Sequence, residues 1–362
     1  MDKLQALKDG NELLIQEGIR RNLGRLRSSP KRLQILPTMR CNYRCLMCFQ
    51  SEDMHKNGAE LDFGIMEKIE HVLPYVKSVY FTGGEPLLYH EYDRMLEMLG
   101  KYRCELSIST NGSLLSGKRL DMVAKTMRMV KISIDAADPD TYAKIRRNGD
   151  FSRVVRNIID LQKKKLENNS IYPLVHFSMV AMKSNVAELS KLVVLARNLG
   201  VARIRVGHVA LNGCQGDLVD ESLQYHKEYS DHHMMKAAVI ARELGVELVL
   251  PSLFSRSLDS DMKATTNTAC YDTGVCTEPW EYLLIEGDGK TGLCCSNAVA
   301  ADNLTGKSFE EVWNGMAAQR IRRALNTDRE PPECAGCLTY KRNKNRLVGV
   351  PKAIRKEKQA AC

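Results

Sequence analysis

The sequence contains no apolar run approaching the roughly 18 residues of a membrane-spanning helix, and nothing in it resembles a secretory leader. It shows no internal repeat and no low-complexity tract, so a fold built by stacking repeated units is excluded. Aromatic residues are few, at 6% with two Trp. What is abundant is cysteine, with 12 residues. Hydrophobic residues at 44% and charged residues at 27% are ordinary globular values and exclude wholesale disorder. A chain of 362 residues suits one large domain plus a small one, with a sizeable buried core. These features predict a cytoplasmic protein with no membrane partner.

The net charge of +9 is concentrated at the two ends. Residues 341–358 hold eight basic residues against one acidic, and residues 1–32 hold eight against four, so the rest of the chain is slightly acidic. The plain reading is a pair of solvated termini. The sharper one is contact with an acidic partner. Base-stacking aromatics are not interleaved with these charges, which disfavours nucleic acid.

Residues 3–16 carry a moderate amphipathic helix pattern. Strand-like runs then follow at Leu33 to Pro37, Ser78 to Thr82, Glu105 to Thr110, Val130 to Asp135, Val175 to Ala181 and Arg203 to Val206. Segments of helical period separate them, including Phe63 to Tyr75, Tyr89 to Lys101, Leu115 to Thr126 and Val186 to Leu199. A further helix, Tyr225 to Leu244, precedes a strand at Val246 to Leu250. Six strands alternating with helices predict an α/β fold with a parallel sheet, curled into a full or partial barrel. Residues 251–270 turn rich in Ser, Asp and Thr. Beyond them come a hairpin, Tyr282 to Leu293, turning at Gly287-Asp288-Gly289, and a helix from Phe309 to Leu325. The expected divisions are an N-terminal basic helical segment (1–32), a barrel (33–250), a linker (251–269), a small α+β domain (270–340) and a basic tail (341–362).

Cys41, Cys45 and Cys48 stand in CNYRCLMC directly after the first predicted strand. Three cysteines within eight residues of a cytosolic chain are not a disulfide framework. Close thiolates at a strand end suit a soft metal site. A structural zinc or a closed iron–sulfur cluster takes four protein ligands, so three leave a coordination position open. Further along, Gly83-Gly84-Glu85-Pro86 follows the second strand, Ser109-Thr110-Asn111-Gly112 ends the third, and Ser133-Ile134-Asp135 ends the fourth, with Arg146 beyond. All lie at C-terminal strand ends, where barrel enzymes build their sites. Read singly, they are turns and a surface charge.

Read together, these residues resemble the radical S-adenosylmethionine (SAM) enzymes. The resemblance implies a partial (β/α)6 TIM-type barrel whose CxxxCxxC cysteines bind a [4Fe–4S] cluster. It further implies that the cluster chelates SAM and cleaves it reductively to a 5′-deoxyadenosyl radical, which abstracts a hydrogen from an unactivated carbon. Gly83, Gly84, Glu85 and Pro86 match the motif that holds the SAM amino group. Ser109, Asn111, Ser133 and Asp135 occupy strand ends that contact SAM, and Arg146 matches an Arg that pairs with its carboxylate. Many relatives have an aromatic residue just before the third cysteine, packing on the adenine. Here that residue is Met47, with Phe49 after the cluster; a thioether packs on a ring as well.

Cys276, Cys294, Cys334 and Cys337 occur as CTEPW, GDGKTGLCC and CAGC. This stretch resembles the twitch or SPASM extension of radical SAM enzymes, which holds auxiliary [4Fe–4S] clusters. A full SPASM domain has seven cysteines, and the later ones are missing here, so the resemblance implies one auxiliary cluster and two clusters in all. Cys295 is an alternate ligand, with Cys270 a further candidate. The spacing suits a four-cysteine zinc site equally.

The resemblance leaves the reaction open. If an auxiliary cluster accepts the electron of a substrate radical and a base takes a proton, the result is dehydrogenation. If a thiol returns a hydrogen to the opposite face, the result is epimerisation. Cys214, flanked by glycines after the last barrel strand, is the candidate hydrogen donor, and His208 and Asp217 are candidate bases. The 32 residues before the first strand are short for a leader-binding domain. The expected substrate is therefore a sugar- or aminocyclitol-like small molecule, with an external one-electron donor such as flavodoxin or ferredoxin. The alternative is modification of a ribosomally made peptide or protein side chain. A non-catalytic metal- or RNA-binding protein is the third reading.

Overall fold

A computed structural model describes residues 2–50, 55, 57–211, 216–254, 276–294, 300–327, 329, 331–334 and 337. In chain order the strands are β1 (Arg32–Ile35), β2 (Arg44–Cys45), β3 (Ser78–Phe81), β4 (Glu105–Thr110), β5 (Met127–Ser133) and β6 (Arg146–Arg147). They continue as β7 (Leu174–Ala181), β8 (Arg203–His208), β9 (Glu247–Val249), β10 (Tyr282–Ile285), β11 (Lys290–Gly292) and β12 (Ala300–Asn303). The chain folds as two compact units, one of residues 1–41, 53–108 and 271–344, the other of residues 42–52, 109–270 and 345–362. No helix of the described residues is long and apolar enough to cross a membrane.

In the first unit β1 runs parallel to β3 on one side and to β10 on the other, and β3 runs parallel to β4. The hairpin β10–β11 and the antiparallel β12 extend the sheet beyond β10. The four residues of β10 are all buried, as a strand covered on both faces requires. The expected hairpin is thus an edge extension of the parallel sheet. The helix Lys3–Arg20 starts at Asp2, whose carboxylate accepts from the Leu4 N–H. It is longer than the period suggests.

In the N-terminal segment Lys3, Arg20, Arg21, Arg25 and Arg27 are exposed, as the plain reading expects, whereas Lys8, Lys31 and Arg32 are not. Lys8 is buried and donates to the Tyr102 and Arg103 carbonyls. Lys31 bridges Glu12 and Glu281 at 2.9 and 2.8 Å. Trp280 donates to the Leu23 carbonyl, and Trp313 to the Ser28 carbonyl. Arg322, fully buried, lies over the Trp313 ring and donates to the Gly24 carbonyl. The reason is packing: these side chains close over backbone carbonyls that would otherwise be buried without donors. The basic C-terminal tail lies outside the described residues.

In the second unit β5, β7, β8 and β9 form a parallel ladder, with Lys131, His176, Arg203 and Glu247 in one cross-strand row. Val175, Phe177, Met179 and Ala181 alternate as the buried positions of β7. Helices Gly117–Thr126, Pro139–Ile145, Phe151–Glu167, Leu189–Asn198 and Lys227–Leu244 follow the strands. Asp138 and Asp150 cap two of them, accepting from the Thr141 and Arg153 N–H groups. This is the α/β architecture of alternating parallel strands and helices that the sequence predicts.

Candidate functional site

Cys41 ends the first unit's stretch after β1, and its N–H donates to the His55 carbonyl at 3.1 Å. In the same unit the Gly83-Gly84 segment runs against residues 38–40. Gly84 N–H donates to the Thr38 carbonyl at 2.9 Å, and Glu85 N–H to the Arg40 carbonyl at 2.8 Å. A Cβ on Gly84 would stand 2.0 Å from the Arg40 oxygen, and one on Gly83 would stand 2.7 Å from the Thr38 oxygen. Gly83 also has φ of +124°. The close approach these glycines permit is therefore to the chain's own backbone, just before Cys41. Glu85 is buried, and its carboxylate accepts from the Leu87 N–H as cap of the turn that Pro86 begins.

The second unit carries Cys45 and Cys48. Cys45 lies in the two-residue strand β2, which pairs antiparallel with β6 so that Cys45 stands opposite Arg146. Cys48 N–H donates to the Cys45 carbonyl at 3.0 Å, tightening the loop. Arg146 is buried, not a surface charge. Its Nε and Nη2 both lie 2.6 Å from Asp135 Oδ2, and its Nη1 lies 3.6 Å from the Cys45 sulfur. Asp135 has no exposure at all, and its other oxygen accepts from the Val180 N–H at 2.7 Å. Burial works against the Arg146 charge, but Asp135 and then Cys45 outweigh it and its pKa is raised. Burial raises the pKa of Cys45, with Arg146 pulling it back down. A guanidinium beside a sulfur favours the thiolate that binds iron. Arg146 thus has two partners within the chain, where the resemblance gave it a ligand carboxylate.

Sequence reasoning missed Asn42 and Ser113. Asn111 Nδ2 donates to Asn42 Oδ1 at 2.9 Å, and Asn42 Nδ2 donates to Ser113 Oγ at 2.9 Å. Ser113 Oγ donates in turn to Asn111 Oδ1 at 2.6 Å, closing a ring. This ring fastens the loop after β4 to the cysteine loop. Asn42 lies inside the cysteine motif and Ser113 directly follows Asn111-Gly112, but nothing in their spacing shows the pairing. Ser109 and Ser133 are half-buried at the ends of β4 and β5. Met47 packs with Leu46 and Val180 against an apolar cluster of Ile145, Met182, Val209 and Leu218. Phe49 is 66% exposed.

His208 ends β8, packed on the Phe254 ring at 4.7 Å between centroids. Neither ring nitrogen closes a hydrogen bond of normal geometry. Burial lowers its pKa, against the upward pull of the Ser252 backbone and Asp231. Cys214, Cys270 and Cys295 lie outside the described residues, as does the linker beyond residue 254. Asp217 falls in the helix Gly216–Glu221.

In the first unit, Cys276 is bracketed by Asn326, which accepts from its N–H and donates to its carbonyl, both at 2.9 Å. Its pKa is pushed up to about 12, chiefly by burial and then by Glu278, Cys337 and Cys334. Cys337 N–H donates to the Cys334 carbonyl at 3.0 Å. Cys294 follows β11 of the same unit and, like the other three, is half-buried. All eight cysteines among the described residues are thiols, not disulfides. No three of His, Cys, Asp or Glu among the described residues converge as ligands of one ion would. Half-buried thiols are a donor set of the kind an iron–sulfur cluster takes, and a cubane spreads its thiolates over several irons.

Comparison with known proteins identifies both cysteine-bearing regions. Residues 35–195 match the radical SAM superfamily, and residues 276–338 match the iron–sulfur cluster-binding SPASM domain. The chain carries a radical SAM domain and a C-terminal SPASM domain. Together they imply two iron–sulfur clusters and SAM. Curated relatives include the GTP 3′,8-cyclase of Rhizobium leguminosarum bv. trifolii, 28% identical over 209 residues, which are 55% of this chain and 58% of that protein. The probable GTP 3′,8-cyclase of Saccharolobus islandicus is 29% identical over 233 residues, 61% of this chain and 71% of that one. The chain spans about half the length of the first of these curated relatives. Among solved structures, Streptococcus suis SuiB bound to the precursor peptide SuiA matches with a TM-score of 0.65 at 16% identity, covering 88% of this chain and 71% of that one. At that identity the likeness shows the fold alone, an α/β architecture.

Proposed function

We propose that this chain is a radical SAM enzyme that abstracts a hydrogen from a C–H bond of a small, sugar-like substrate and carries it to oxidation or epimerisation. The observation that carries the reading is the Cys45–Arg146–Asp135 arrangement, a cysteine of the three-cysteine motif held against a buried, charge-paired guanidinium. When bound, the clusters and SAM supply an electron, a 5′-deoxyadenosyl radical and, at the SPASM domain, an electron acceptor. Cys41, Cys45 and Cys48 would hold the first cluster, and Cys276, Cys294, Cys334 and Cys337 the second. Ser133 would present its hydroxyl to SAM at its strand end, and Asn111, held by Asn42 and Ser113, would fix the loop after β4 there. Glu85 and its glycines would hold the amino group. Met47, packed on the apolar cluster, would serve the adenine.

The chain itself must take a proton in the oxidative branch. His208 is suited to it, since its lowered pKa leaves the ring neutral and able to accept at neutral pH. In the epimerising branch Cys214 would return a hydrogen atom to the substrate radical, and the thiyl radical left on Cys214 would then take an electron and a proton from the external one-electron donor and solvent. The curated relatives are named for GTP, a ribose-bearing molecule, which supports a sugar-containing substrate. The second reading is peptide modification, favoured by the peptide-bound neighbours SuiB and anSMEcpe.

The test is anaerobic reconstitution with iron and sulfide, followed by reduction in the presence of SAM. About eight irons per chain and release of 5′-deoxyadenosine support the reading. About four irons with one zinc would remove the electron acceptor and leave redox-neutral chemistry. No 5′-deoxyadenosine at full iron loading would overturn the function. Substrates are then screened as sugar alcohols and as peptides. Cys214→Ala abolishes turnover of an epimerase and spares a dehydrogenase; His208→Gln does the reverse.

A further inference from the structure

Arg146 and Asp135 lie in the interior of the second unit, and local structure puts the guanidinium beside Cys45. The Leu46 N–H donates to the Ile145 carbonyl at 2.8 Å, and the two-residue ladder of β2 with β6 sets Cys45 opposite Arg146. Gly149 lets the chain turn directly after β6. A Cβ there would stand 2.6 Å from the Arg146 oxygen, and 2.9 and 3.0 Å from the Tyr142 and Tyr43 rings. Both rings are buried, and the charges of Arg146 and Cys45 both act on the Tyr142 hydroxyl.

A guanidinium offers five N–H groups in a planar fork. One edge of the Arg146 fork, Nε and Nη2, is filled by Asp135 Oδ2 at 2.6 Å. The remaining arm, Nη1, is turned to the Cys45 sulfur at 3.6 Å. With Nη1 on the sulfur and Nη2 on Asp135, neither paired edge is left for a second carboxylate. Asp135 is itself held by the Val180 N–H at 2.7 Å, and so aims the fork. Of the two charges, Arg146 acts on Cys45 more strongly than Asp135 does, so the pair presents its positive end to the sulfur. An iron–sulfur cluster gains negative charge when it is reduced. A buried cation and an N–H···S hydrogen bond at one ligand favour that reduced state, and do so more strongly than in water.

We propose that Arg146, aimed by Asp135, raises the reduction potential of the first cluster through Cys45 and does not serve as the partner of the SAM carboxylate. Arg146 is in this sense a positioning residue: it touches a ligand of the cluster and makes the external donor's one-electron transfer easier. The inference rests on the assignment of Cys41, Cys45 and Cys48 as ligands in the function proposed above. It does not depend on the substrate or on the fate of the substrate radical.

The experiment is a redox titration of the reconstituted full chain without SAM, followed by electron paramagnetic resonance. The first cluster's signal is the one that changes when SAM is then added, since three cysteines leave an iron open. Arg146→Gln combined with Asp135→Asn removes both charges and strands neither. At a fixed potential it should lower the reduced-to-oxidised ratio about tenfold or more, a downward shift of about 59 mV for one electron. Asp135→Asn alone leaves the cation without its offset and should move the potential up. A packing defect would not give opposite signs. Arg146→Lys keeps the charge but loses the fork, and its potential should fall between wild type and the double variant. The wild-type chain grown with ¹⁵N-arginine needs no folded variant: its reduced first cluster should show hyperfine coupling to a guanidinium nitrogen, kept in Arg44→Lys. An unmoved potential in the double variant, shifts of one sign in both variants, or no such ¹⁵N coupling would overturn the inference. So would an Arg146→Lys chain that binds SAM tenfold more weakly at an unchanged potential, which restores the carboxylate role. No SAM-responsive cluster at full iron loading overturns the ligand assignment and this inference together; a SAM-responsive cluster with an unmoved potential overturns this inference alone.

Discussion

Asp135 and Arg146 are eleven positions apart and both buried, so each is the other's compensation for leaving water. Removing the carboxylate leaves a guanidinium in the interior with one weak sulfur contact. Asp135→Asn is expected to lower stability by about 3–5 kcal/mol, measured by urea unfolding under anaerobic conditions. A loss under about 1 kcal/mol would show that Arg146 reaches solvent. Gly84 poses a steric test of another kind. Its missing Cβ leaves room for the Arg40 carbonyl, and a methyl there would overlap that oxygen at 2.0 Å. Gly84→Ala is expected to cost about 3 kcal/mol or more, since backbone on both sides of the contact must shift. The shift falls on residues 38–40, so the iron bound after reconstitution should fall too. Wild-type melting and iron content in this variant would count against the close approach as its cause.

At the scale of elements, the legible parts are those that carry a period. The strands at 78–81, 105–110 and 203–208 alternate strongly enough to be read directly, and each begins where expected. Elements that break a period were harder to read. The segment from Phe63 to Tyr75 is an α-helix only to Lys68 and tightens into a 3₁₀ turn around Pro74. The segment from Phe309 to Leu325 is two helices, parted at Asn314 and Gly315, with Asn314 spending its side chain on the Leu26 backbone. β2 and β6 have two residues each and no period, yet they set Cys45 opposite Arg146. The cysteine motifs and strand-end polar residues were legible because their chemistry is local in sequence. The Asn42–Ser113–Asn111 ring and the Arg146–Asp135 pair were not, because each depends on which loops the fold brings side by side.

The N-terminal helix yields a pH prediction. Glu12 accepts from Lys31 and Lys77 at 2.9 and 3.0 Å. Burial raises its pKa, but the hydrogen bonds to Lys31, Gln16 and Lys77 outweigh it and hold the carboxyl down to about 2. A folded pKa below the unfolded one adds stability that is full above about pH 4.5 and is lost as pH falls toward 2. The wild-type chain should therefore lose stability over that window faster than Glu12→Gln, which has no proton to take up there. Chemical denaturation at pH 5, 4 and 3 follows the difference. Parallel slopes for the two proteins would mean that the carboxylate gains nothing from its lysines.

At the scale of the whole molecule, the proposed function gives the two cysteine regions different tasks, and that division can be tested experimentally. The radical SAM domain covers residues 35–195 and the SPASM domain residues 276–338. Cys276, Cys334 and Cys337 are electrostatic neighbours within the first unit, so replacing all three with alanine removes one donor set and leaves Cys41, Cys45 and Cys48 in place. Under the proposed function the variant binds about four irons where the wild type binds about eight. It still releases 5′-deoxyadenosine when reduced with SAM and no substrate, because that step needs only the first cluster. It no longer completes an oxidation, since the substrate radical then has no electron acceptor beside it. An epimerisation would still give product in a single turnover, because the Cys214 thiol supplies the hydrogen atom, but the Cys214 thiyl radical it leaves must take up an electron from the external donor and a proton from solvent before a second. Iron counting and substrate-free SAM cleavage on this variant thus test the division of labour, and product analysis with substrate separates the two reaction outcomes. Loss of all iron in the triple variant would instead mean that the SPASM cysteines hold the fold of the first unit together, with Cys41 inside it.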